Sequence, residues 1–116
     1  MRVLLDHSVP APLRHHLPGH EVIEAAAIGW ERLSNGKLLA EAEADGFEVF
    51  VTSDKNLRYQ QNLSGRRIAL VILGQGQWPA IRPYVGRVRD AVNAAQPSSF
   101  VEVDIPFPFP KRDRES

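Results

Sequence analysis

Val49-Phe50-Val51-Thr52-Ser53-Asp54-Lys55-Asn56-Leu57 is an apolar run that stops abruptly at polar residues, one of them an acid. Short apolar runs rich in β-branched and aromatic residues read as buried strands. In an open α/β sheet, ligands bind just beyond the carboxyl ends of the strands, so Asp54 falls where chemistry is expected. The chain opens in the same way, with Val3-Leu4-Leu5 followed by Asp6. Two parallel strands that both end in aspartate bring two carboxylates to one rim.

Outward from these two strands, the pattern alternates. Arg2 to Leu5 reads as a central strand, because it is apolar after Arg2. Pro10 and Pro12 sit where a helix starts, and Leu13 and Leu17 share one of its faces. His20 to Ile23 gives a second strand. Glu24 to Arg32 is ambiguous: three alanines favour helix, while Gly29 and Trp30 suggest a loop that buries an indole. Ser34-Asn35-Gly36 reads as a helix N-cap region. Leu38, Leu39, Ala42 and Phe47 line the buried face of that helix, Glu41, Glu43 and Asp45 the other, and Gly46 stops it.

Glu48 to Thr52 is the third strand and Ile68 to Leu73 a fully buried fourth. Gly74 to Pro79 reads as a loop, and its Gly-Gln-Gly does not match a phosphate-binding loop. From Ala80, the residues Ile81, Val85, Val88, Val92 and Ala95 predict a helix that passes through Pro83. Phe100 to Ile105 alternates like an edge strand. Short strands alternating with helices predict a small three-layer α/β fold, with a mostly parallel sheet and right-handed crossovers placing helices on both faces. The domain is expected over 1–105, with 106–116 an extended Pro/Phe-rich tail.

Composition bounds the function. At 116 residues the chain is one domain of ordinary size, and 43% apolar with 24% charged residues excludes a wholly disordered chain. The 14 Lys and Arg balance the 14 Asp and Glu, so net charge gives no argument for nucleic acid. No cysteine is present, which removes disulfides, thiolate metal sites and a Cys nucleophile. No apolar run reaches the ~18 residues of a membrane span. The opening MRVLLDHSVP carries an acid too early for a signal peptide. A cytoplasmic protein without membrane association is the expectation.

Asp6 and Asp54 are the leading site candidates. Two carboxylates completed by water suit Mg²⁺ or Mn²⁺, an ion that activates water and stabilises charge on a phosphate. The alternative is that each acid caps the turn after it. Asn35 is a candidate third oxygen donor, reached through water, and also a helix cap. His7 is a candidate ligand, general base or phosphate contact. The polar and basic segment after Asp54 offers Arg58, Arg66 and Arg67 for phosphates and Tyr59 for stacking on a base, with Lys55, Asn56, Gln61 and Asn62 as further substrate-binding candidates. Its alternative is a loop whose amides satisfy its own backbone.

The segments LLDHSVP, GHEV, NGKLLAEAEADGFEVFVTSDKNLRYQQNL and RRIALVIL together resemble the bacterial PIN-like domain family. The resemblance covers roughly residues 1–105. It is most specific in the first strand with its Asp, the strand ending in Thr-x-Asp, and the DKNLRYQQNL run. It implies a metal-dependent ribonuclease that hydrolyses RNA phosphodiesters. It also implies a toxin component of a toxin–antitoxin pair, with an antitoxin as protein partner; the proline-rich tail Pro106–Pro110 is separately a candidate to dock against a partner or a second copy of the chain. Asp6 and Asp54 match the family's strand-end aspartates. The chain departs from the pattern where the family often has acids: His7 follows Asp6, and Asn35-Gly36-Lys37 replaces Asp-Gly-Glu. Those departures motivate the alternative, a catalytically degenerate PIN-like protein that binds RNA, a nucleotide or a protein.

Overall fold

Five short strands form one sheet: β1 (Arg2–Leu5), β2 (Glu21–Glu24), β3 (Val49–Thr52), β4 (Ala69–Leu73) and β5 (Phe100–Val103). The computed structural model describes residues 1–55, 57 and 65–106. The strand order is β2-β1-β3-β4-β5, and every neighbouring pair is parallel. The expected mostly parallel sheet is therefore entirely parallel, with β1 internal and β5 at an edge.

Each strand feeds both faces by simple alternation. Val3, Leu5, Val49, Val51, Ala69, Val71 and Leu73 belong to one core. Leu4, Phe50, Leu70 and Ile72 belong to the other. All four residues of β3 and all five of β4 are buried, which is what a sheet covered on both faces requires.

The second core is covered by α1 (Asn35–Ala44) through Leu38, Leu39 and Ala42. Gly46, at φ +87°, ends this helix in the left-handed region. The Gly46 N–H donates to the Glu43 carbonyl and the Phe47 N–H to that of Ala42, closing a Schellman motif. Phe47 then turns into the core, edge-on to Trp30 at 6.0 Å and under the Arg2 guanidinium at 4.2 Å. The ambiguous stretch before it resolves as a 3-10 helix, Ala25–Ile28, capped by Gly29.

The first core is covered by a 3-10 helix, Ala11–His16, by α2 (Trp78–Ile81) and by α3 (Val85–Ala94). The short helix expected after β1 is present, as a 3-10 helix. Here the structure corrects two expectations. The loop after β4 is shorter than expected, because helix begins at Trp78 with Pro79 in its first turn. The long helix is broken by a 3-10 turn at Arg82–Tyr84, since Pro83 has no N–H to give the ladder. Ile81, Val88 and Val92 nevertheless stay fully buried on one face.

The crossovers also depart from expectation. Both β2→β3 and β4→β5 move the same way across the sheet. Yet α1 lies on the second core and α3 on the first. Parallel crossovers that move in one direction over opposite faces have opposite hands. The β1→β2 link moves the other way over the first core, so it shares the hand of β2→β3. The β4→β5 crossover thus differs in hand from β1→β2 and β2→β3, where a uniform hand is expected for such sheets. No helix among the described residues is long and apolar enough to cross a membrane.

Candidate functional site at the carboxyl rim

Leu5 pairs with Val51 in register, and the Asp6 N–H donates to the Val51 carbonyl at 2.9 Å. Asp6 therefore extends β1 by one position and stands beside Thr52. Two residues after Leu4 and Phe50, both side chains take the α1 face. Thr52 Oγ1 donates to Asp6 Oδ2 at 2.8 Å. Ser8 Oγ donates to the same oxygen at 2.7 Å. Asp6 and Thr52 are 6% and 1% exposed, the buried polar residues of this chain among those described.

The other oxygen has a different environment. Asp6 Oδ1 lies 3.1 Å from His7 Nδ1, on a ring that is 64% exposed. The carboxylate thus has one oxygen held inside by hydroxyls and one turned to the rim. Its partners are Thr52 at the end of β3 and Ser8 and His7 of its own turn, so the carboxylate ties that turn to β3, while the Asp6 carbonyl closes the turn by accepting from Val9 N–H at 3.0 Å.

Asp54 reaches the same place from β3. Its N–H donates to Thr52 Oγ1 at 3.1 Å, so one hydroxyl joins the Asp6 carboxylate to the Asp54 backbone. Asp54 is half-buried and Lys55 exposed, both beyond the carboxyl end of β3. The α1 helix returns from β2 to β3, two parallel strands, so it runs against them and its first turn lies at this rim. Asn35 is the first residue of that turn, and exposed Lys37 belongs to it. The strand order places the rim acids well, because β1 connects to its neighbour on one side of the sheet and β3 to its neighbour on the other, and this is the switch point at which open α/β sheets bind ligands.

Not every candidate joins them. Arg66 precedes β4 and so lies at the opposite, amino rim, where its Nη1 pairs with Glu43 Oε1 at 3.2 Å. Asn56, Arg58, Tyr59, Gln61 and Asn62 lie outside the described residues, as does the tail from position 107. Among the described residues no three His, Asp or Glu side chains are grouped to hold a metal.

Two elements of the rim are not evident from the sequence. Ser8 and Ser53 interlock: the Ser53 N–H donates to Ser8 Oγ at 3.1 Å, and Ser53 Oγ to the Ser8 carbonyl at 3.2 Å. The Gly74–Gln77 loop closes on this pair, with Gly76 against the Ser8 carbonyl. The small residues just past each strand end are the only signal the sequence offers for such packing.

The residues present suit one water-rich cation rather than an all-protein cage. Mg²⁺ is commonly held by one or two carboxylates, with waters and substrate phosphates completing the octahedron. Asp6 Oδ1 faces the rim, and Asp54 follows the neighbouring strand end. Comparison with protein-family models, curated proteins and solved structures returned no match.

Proposed function

We propose that the carboxyl rim is the active site of a PIN-like, metal-dependent ribonuclease, acting as the toxin component of a toxin–antitoxin pair. The observation that carries this reading is the Asp6 carboxylate, buried at the switch point with one oxygen secured by Thr52 and Ser8 and the other facing outward. The sequence resemblance supplies the reaction class, and RNA and an antitoxin as partners.

In this reading Asp6 Oδ1 and Asp54 would hold a Mg²⁺ or Mn²⁺. Such an ion acidifies a bound water and offsets charge on a scissile phosphate. His7 supplies the base. With Nδ1–H donated to Asp6, its ring is oriented and Nε2 is left to accept a proton from the attacking water. Lys55, exposed one residue beyond Asp54, contacts a phosphate as a point charge.

The test is calorimetric titration of the full chain with Mn²⁺, alongside cleavage of RNA with and without excess chelator. The expected result is saturable binding that Asp6→Ala and Asp54→Asn remove, with cleavage lost in the same variants. Cleavage that persists in Asp54→Asn and in chelator overturns the mechanism.

A second reading has its own support, the lack of a three-acid group among the described residues. On that reading the same rim binds RNA, a nucleotide or a protein without hydrolysis, and Asp6 chiefly staples β1 to β3. No Mn²⁺ binding, together with a marked loss of stability in Asp6→Ala, favours it.

A further inference from the structure

We propose that Ser8 and Gly76 are positioning residues for the Asp6 carboxylate, fixing it so that a divalent cation is taken by Oδ1 alone. The inference rests on the cation-binding reading of the rim and adds how the chain prepares its ligand. A carboxylate oxygen accepts in two lone-pair directions. Both directions at Asp6 Oδ2 are filled, by the hydroxyls of Ser8 at 2.7 Å and Thr52 at 2.8 Å. Bidentate capture of an ion by Asp6 would break one of these buried bonds. Oδ1, facing His7, has the remaining capacity.

Ser8 holds its proton toward Asp6 because its own lone pair is engaged by the Ser53 N–H at 3.1 Å. Ser53 is held in turn by donating its hydroxyl to the Ser8 carbonyl at 3.2 Å. Behind this clamp stands the loop after β4. A Cβ built on Gly76 lies 2.5 Å from the Ser8 carbonyl oxygen and 2.9 Å from Ser53 Oγ. No side chain fits there unless the clamp moves. Three strand ends, those of β1, β3 and β4, thereby converge on the orientation of one carboxylate. Hydrogen-bond partners that orient a metal ligand commonly control affinity about 10–100-fold.

The experiment is Mn²⁺ titration of the full chain by calorimetry, with thermal unfolding measured on the same samples. Ser8→Ala and Gly76→Ala are expected to weaken Mn²⁺ binding about tenfold or more. Ser8→Thr, which keeps the hydroxyl, is expected to retain it. If Gly76→Ala does not fold, Ser53→Ala loosens the clamp without adding an atom and carries the same expectation. Wild-type binding that is lost in Asp54→Asn but unchanged in Ser8→Ala and Ser53→Ala overturns the positioning role and leaves the site reading standing. A lowered unfolding temperature with unchanged affinity overturns it equally. Absence of Mn²⁺ binding in the wild type removes the site reading and this inference together.

Discussion

Glu43, in the last turn of α1, accepts hydrogen bonds from the backbone N–H groups of Arg67 and Ile68 and pairs with Arg66. It receives the two amides that lead into β4, which have no strand partner at that point. Burial by itself raises the Glu43 pKa. The Ile68 and Arg67 amides and the Arg66 guanidinium outweigh this, and hold the carboxyl below its ordinary 4.5. A carboxyl depressed on folding contributes stability above its unfolded pKa, and that contribution fades as pH falls from about 4.5 through the lower folded value. Glu43→Ala is expected to cost about 1–3 kcal/mol at pH 7, measured by urea unfolding. The difference from wild type should shrink below pH 4.5. Grouping the acids of α1 by charge puts Glu43 on the solvent face. Its place four residues after buried Leu39 puts it above the core stripe instead. The partners, 24 and 25 residues further on, leave no local trace in sequence. Asp6 and Asp54 are legible for the opposite reason: a strand ends where its apolar run ends, and the acid that follows inherits the rim.

At the scale of elements, legibility follows periodicity. The stripe Leu38, Leu39 and Ala42 of α1 is plain in the sequence, because three and four residue spacings survive packing unchanged. Leu39→Ala is expected to destabilise by about 2–5 kcal/mol, the range for a fully buried leucine left as a cavity. Glu41→Ala on the exposed side of the same helix is expected within about 0.5 kcal/mol of wild type. Equal effects of the two in chemical denaturation would contradict the assigned faces. Where proline enters, the pattern is less reliable. The run Ile81, Val85, Val88, Val92 keeps its phase across Pro83, yet the backbone changes from α to 3-10 and back. Hydrophobic spacing reports which side chains face the core, and the hydrogen-bond ladder beneath them is a separate matter.

Across the whole molecule, protection should follow the sheet. The strands β1, β3 and β4 are bonded on both sides and buried, whereas β2 is only half-buried and β5 exposes Val101 and Glu102. Amide hydrogen exchange is expected to be slowest in Leu4–Leu5, Val49–Thr52 and Leu70–Leu73, and faster in β2 and β5. Faster exchange in β3 than in β5 would contradict the strand order. The parallel α/β class is legible from alternating short strands and helices, because such links force neighbouring strands into one direction. The hand of the last crossover is not, since nothing in the apolar pattern of Ile81, Val88 and Val92 says which face receives them.

That last crossover decides what the end of the chain is for. Because α2 and α3 return over the side that begins with only a six-residue 3-10 helix, they are the main roof of that side. A protein cut after Leu73 would lose far more than a margin. Val49, Val51, Val71 and their neighbours would lie bare to water along one broad flank, so residues 74–105 are a condition for folding rather than an appendage.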